Sequence, residues 1–122
     1  MKINTTIKIQ GQEFTGIVTI DSYNIDEEYM EDFLAGEEEG IDEIRSWVDH
    51  KMGDISKVKA SYKNGSLVAT YSVGRGLKAE IELDYSSMAT SEDMEDLDKE
   101  SIEDMANELI LATLEITKVE AA

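Results

Sequence analysis

His50 is the lone histidine in the 122 residues, and the chain has no cysteine. An imidazole could act as a general base, but no serine nucleophile motif accompanies it. Without Cys, a thiolate nucleophile, a disulfide and a thiolate metal site are all excluded. His50 reads as a polar residue near a helix end, where the dipole tolerates its charge. Carboxylates are the other candidate chemistry. With 28 Asp and Glu, pairs spaced for glycosidase-like acid–base work arise by count alone. A catalytic pair also needs settings that push its two pKa values apart, and these acids fall mostly on exposed helix faces. The run Asp93-Met94-Glu95-Asp96-Leu97-Asp98-Lys99-Glu100 could attract Ca²⁺ or Mg²⁺. It lacks the alternating Asp positions, the turn Gly and the trailing Glu of a calcium loop. No metal and no cofactor is expected, and no catalytic residue is assigned.

Basic residues give two further candidates. Gly74-Arg75-Gly76 could offer Arg75 to a phosphate, but a lone Gly-x-Gly is weak evidence and reads as a tight turn with a solvent-facing Arg. Lys57, Lys59 and Lys63 share the polar face of one strand. Contact with nucleic acid is opposed by the acidic segments on either side. The lysines read instead as discouraging edge pairing, or as answering the protein's own acidic helices.

Sign follows segment along the chain. The formal net charge is −17; residues 21–50 carry −11 and residues 80–122 carry −12, while residues 51–79 carry +5. A surface acidified for solubility alone would mix its signs. Such a balance argues against direct binding to nucleic acid or anionic lipid, and for attraction to basic partners. The N-terminus shows no signal peptide. No stretch approaches the roughly 18 apolar residues of a membrane span. A cytoplasmic location is expected.

The elements that position these charges can be read from periodicity. Ile3, Thr5, Ile7 and Ile9 alternate with polar residues, as do Phe14, Gly16, Val18 and Ile20, and the two runs predict a hairpin. Residues 24–35 take a helical period through Ile25, Tyr29 and Phe33, capped by Asn24 or Asp26 and ended by Gly36. Glu37-Glu38-Glu39-Gly40 reads as a solvated joint. A second helix carries Ile41, Ile44, Val48 and Met52 on one face, with Trp47 beside them, and ends at Gly53. Lys57–Lys63 is a strand. Asn64-Gly65 predicts a type I′ turn that pairs Tyr62 with Leu67, Ala60 with Ala69 and Val58 with Tyr71. A strand alternating from Leu77 to Tyr85 follows the Gly74–Gly76 turn. Caps are expected at Thr90 or Ser91 and at Ser101, and a long C-terminal helix to about Val119. Tyr23, Tyr29, Phe33 and Trp47 suit core packing, with one or two free to anchor a partner. The expected fold is a single α+β domain over residues 1–122 in the order β-β-α-α-β-β-β-α: an antiparallel sheet of about five strands with helices on one face.

Two function classes fit this layout better than an enzyme does. Residues spaced i, i+4 on a helix lie about 5–6 Å apart. Glu27-Glu31, Glu28-Asp32, Asp96-Glu100, Glu100-Asp104 and Asp104-Glu108 are such pairs, and rows of them can imitate the charge of a phosphate backbone. The expected contact acids are Glu27, Glu28, Glu31, Asp32, Glu37, Glu38 and Glu39 in the first block, and Glu92, Asp93, Glu95, Asp96, Asp98, Glu100 and Asp104 in the second. In size and acidic runs the chain resembles the small acidic bacteriophage proteins that block restriction or CRISPR enzymes. That resemblance implies an inhibitor acting as a DNA mimic on a basic, nucleic-acid-binding enzyme such as a nuclease. The alternative is an immunity protein or antitoxin capping the basic active site of a toxin, which would use the same steering.

Overall fold

The computed structural model describes residues 1–122, apart from the side chain of Asn24. Strands β1 (Lys2–Ile9) and β2 (Gln12–Thr19) form the first hairpin. Its turn, Gln10-Gly11, has φ of 47° and 80°, the positive pair that a type I′ turn requires. A single 3₁₀ turn (Ser22–Asn24) leads to α1 (Glu27–Leu34) and α2 (Glu38–Ile55). Strands β3 (Ser56–Lys63), β4 (Ser66–Val73) and β5 (Leu77–Leu83) follow as a meander. Two helices, α3 (Ser91–Glu95) and α4 (Lys99–Thr113), precede the last strand, β6 (Glu115–Ala121). No helix among the described residues is long and apolar enough to cross a membrane.

The chain is α+β, but the expected single sheet of about five strands is two antiparallel sheets of three, ordered β2-β1-β6 and β3-β4-β5. The β3–β4 register matches the expectation from Asn64-Gly65, with Tyr62 opposite Leu67, Ala60 opposite Ala69 and Val58 opposite Tyr71. The sixth strand is the larger correction. Residues 115–121 do not continue the C-terminal helix; they pair antiparallel with β1. Thr117 is the extra residue of a bulge there, since Thr6 pairs with Lys118 and Ile7 with Ile116. Its hydroxyl donates to the Thr6 carbonyl at 3.3 Å.

The facing edges β2 and β5 come together without a ladder. The Ile17 N–H donates to the Gly76 carbonyl at 2.8 Å. A Cβ on Gly76 would lie 2.1 Å from the Ile17 oxygen, and one on Gly16 would lie 2.4 Å from the Gly76 oxygen. Only glycine at both positions permits this approach.

Both sheets and the helices share one core. Ile3, Ile7 and Ile9 of β1, Leu67 and Tyr71 of β4 and Leu77 and Ile81 of β5 are all buried. Helix α2 adds Ile44, Val48 and Met52 from a stripe at i, i+4 and i+8. Each such side chain contributes about 1.5–3 kcal/mol on full burial. Helix α4 adds Ala106, Leu109 and Ile110.

Helix boundaries differ from the sequence reading in instructive ways. Helix α1 begins at Glu27 rather than near residue 24; the Asn24 cap lies outside the described residues, and Asp26 is the N-cap without a side-chain bond. Gly36 does end the helix, with φ of 80°. The Glu37 and Gly36 N–H groups donate to the Asp32 and Phe33 carbonyls at 2.8 and 3.1 Å, a Schellman closure. The residues read as a solvated joint are instead the start of α2, where Gly40 is buried. Gly53 does not end α2, which runs on to Ile55. Thr90 caps α3 in a reciprocal capping box with Asp93, and Asp98 rather than Ser101 caps α4. Strand β5 stops at Leu83, before Tyr85.

Candidate acidic binding surface

The first acidic block gathers at the joint of α1 and α2. Glu27 and Glu28 occupy the first turn of α1, and Glu38 and Glu39 the first turn of α2. Both placements put carboxylates where the helix dipole is positive. The Schellman closure at Gly36 then folds the end of α1 against the start of α2. As a result Glu31, Asp32, Glu37, Glu38 and Glu39 line one open depression of about 410 Å³, together with Ala35. Gly40 makes this possible: its missing Cβ would lie 2.2 Å from the Phe33 nitrogen, so any side chain there would push the helices apart. Chain distance alone would not have grouped Glu31 with Glu38.

The second block is divided. Asp93 is held by the capping box; its Oδ2 accepts from the Thr90 N–H at 3.1 Å and the Thr90 hydroxyl at 3.0 Å. Asp98 Oδ1 accepts from the Ser101 N–H at 2.8 Å, and that bond holds its carboxyl below the usual range. These two candidates are therefore engaged as helix caps. Asp96 is the C-cap of α3 and Glu100 lies in the first turn of α4, so Asp96-Glu100 is not an i, i+4 pair on one helix. Glu92 and Glu95 remain exposed on α3. Glu100 and Asp104 line a second depression of about 520 Å³, over Val58 of β3, with Lys99, Asn107 and Glu103. Glu103 is an addition that helical spacing from Glu100 could have supplied. Among the described residues, no three Asp, Glu or His side chains converge as a metal site requires.

Charge compensation decides between the two blocks and the bulk of the surface. Four ion pairs occur among the described residues: Arg45–Asp42, His50–Asp54, Lys78–Glu80 and Lys118–Glu120. All are local, and none uses any of the fourteen candidate acids. Among the described residues, Lys57, Lys59 and Lys63 form no ion pair with the acidic helices. They lie exposed on β3, an outer strand of its sheet, where they blunt edge pairing.

The aromatics divide into three packed against the core and one left exposed. Phe33 is buried, and Tyr29 and Trp47 are half-buried against the core. The Trp47 indole N–H donates to Glu43 at 3.1 Å. Tyr23 is 96% exposed. In sequence it lies between Asp21 and the Asp26-Glu27-Glu28 run. No family model, no curated protein and no solved structure matches this chain.

Proposed function

We propose that the chain is a small acidic binding protein that docks on a basic, nucleic-acid-binding surface of a partner enzyme and inhibits it. The observation that carries this reading is the α1–α2 depression. Five carboxylates line it without a cationic neighbour in ion-pair range. Like charges gathered in one depression repel, and a cationic partner would answer that repulsion where the fold supplies no counter-charge. Glu27, Glu28, Glu38 and Glu39 sit in first turns, where the helix dipole favours acidic side chains before any partner arrives. Attraction over a Debye length of about 8 Å would steer encounter with a basic groove.

A specific observation favours a second kind of partner. Tyr23 stands exposed in the turn that leads to the Asp26-Glu27-Glu28 run, and aromatic anchors dominate tight protein interfaces. An immunity-type protein capping the basic active site of a toxin would use such an anchor. Pull-down at low and high salt, with DNA as competitor, separates the readings. A phosphate mimic releases its partner steeply as salt rises and is displaced by DNA. Capture that weakens with salt but resists DNA, and is lost in Tyr23→Ala, belongs to the capping protein, while capture indifferent to salt overturns the phosphate mimic. No capture under any condition would overturn both.

A further inference from the structure

We propose that a cationic groove where the two sheets meet binds a phosphate monoester carried on an apolar body. Lys2 of β1, Lys51 of α2 and Arg75 of the β4–β5 turn line one open groove of about 480 Å³, floored by Ile17, Ile55 and Val73. No carboxylate lines it, although the chain carries 28 acids. None of the three cations belongs to an ion pair among the described residues.

The groove is built by close backbone contact. Gly74 takes φ of 56°. Gly76 abuts the Ile17 carbonyl, and the Ile17 N–H donates back to Gly76. The turn is thereby clamped to β2 from a different sheet, and Arg75 is its apex. A guanidinium there can take two phosphate oxygens in a fork while the two ammonium groups meet the remainder. A monoester carries about −1.5 to −2 charge near pH 7, which three cations match better than a single carboxylate would. The C-terminal end of α2 opposes an anion with roughly half a charge, well short of three full positive charges. The net charge of −17 resists polyanions over long range, but screening confines that field to about 8 Å at physiological salt. A small anion is the ligand such a site can hold. The groove is separate from the acidic depression and stands whether or not that surface binds a protein.

Titrating the ¹⁵N-labelled full chain with phenyl phosphate tests the assignment. Amides of Ile17, Thr19, Gly74 and Gly76 should shift and saturate, with Kd on the order of 1 mM or below. Inorganic phosphate should bind about tenfold more weakly, because it leaves the apolar floor uncovered. In Lys51→Ala/Arg75→Ala, checked for an intact spectrum, affinity should drop at least about tenfold. Unsaturable or scattered shifts, or equal shifts in the double variant, would overturn the site. Equal affinity for phenyl and inorganic phosphate would overturn the organic ligand class. A double variant that loses its native spectrum is replaced by Arg75→Gln alone, which must still weaken binding.

Discussion

Gln10 and Asp84 exchange two hydrogen bonds. The Gln10 Oε1 accepts from the Asp84 N–H at 2.7 Å, and its Nε2 donates to the Asp84 carbonyl at 2.9 Å. A turn side chain thus makes the pair of bonds that a neighbouring strand would make at the end of β5. At the far end the Ile17–Gly76 bond does the same with backbone alone. The two sheets are pinned at both ends of a seam that carries no ladder. Gln10 also donates its N–H to the Thr113 hydroxyl at 3.3 Å, tying in the last residue of α4.

Gln10→Ala should therefore destabilise more than an exposed turn substitution usually does. Two solvent-accessible bonds lost at about 0.5 kcal/mol each amount to about 1 kcal/mol, or a melting temperature lower by about 3–6 °C. Parent and variant share the positive φ, so backbone strain cancels in the comparison. Thermal unfolding by circular dichroism reads the difference; a melting temperature within about 1 °C of the parent would sink the clamp.

Two glycines of α2 should respond with opposite signs to the same substitution. Gly40→Ala drives a methyl into the backbone of α1 and should cost about 1–3 kcal/mol. Gly53 has open space around its Cβ position and lies within the helix. Gly53→Ala should stabilise by about 0.5–1 kcal/mol through helix propensity and lost unfolded-state freedom. Urea unfolding of the two variants checks both signs at once.

The sequence carried local pairings well and long-range choices poorly. Asn64-Gly65 specified its turn and with it the β3–β4 register, because positive φ at adjacent positions admits few residues. Nothing local told β1 that its second neighbour would be a segment over a hundred residues later. Ile116 and Val119, three apart, fit a continuing helix as well as a bulged strand. The β-branched run Ile116-Thr117-Val119 was the available strand signal, and the unfilled edge of β1 decided it. The acids showed a similar split. Glu27-Glu31 and Glu28-Asp32 were legible from helical spacing, whereas the meeting of Glu31 with Glu38 depends on Gly36 and Gly40. Asp98 reads as a contact acid in the sequence because its capping role depends on α3 and α4 being separate helices.

Tyr62 should resist ionisation. Its hydroxyl lies 3.2 Å from that of Tyr85, which donates to the Gly65 carbonyl at 2.8 Å, and the rings pack edge-on. The hydrogen bond with Tyr85, then burial, electrostatic coupling to Tyr85 and the negative charge of Glu95, pushes the Tyr62 pKa up to about 12. Burial also raises Tyr71. The unfolded chain releases the Tyr62 proton near pH 10, before the folded chain does. Stability linked to this group is whole below pH 10 and falls as pH rises toward about 12. Tyrosinate absorbance should show a lagging transition, and Tyr85→Phe should move the Tyr62 share of it back toward pH 10.

Neutralising the joint acids should raise stability and abolish binding together. Glu27-Glu31 and Glu28-Asp32 set like charges one turn apart on α1, each pair opposing the fold by about 0.2–0.5 kcal/mol. Glu31→Gln/Asp32→Asn/Glu37→Gln keeps side-chain shape, leaves the dipole-favoured Glu38 and Glu39 in place, and removes three charges from the depression. Its melting temperature should exceed the parent's by a few degrees at low salt, with the gap closing between ~0.1 and ~0.5 M as screening relieves the parent. Partner capture should fall in the same variant. The two readouts must diverge because a contact surface is selected for its complex, where the repulsion is answered by the partner's cations. A variant that loses stability instead would mean that these carboxylates support the fold, and the case for them as a docking face would fail.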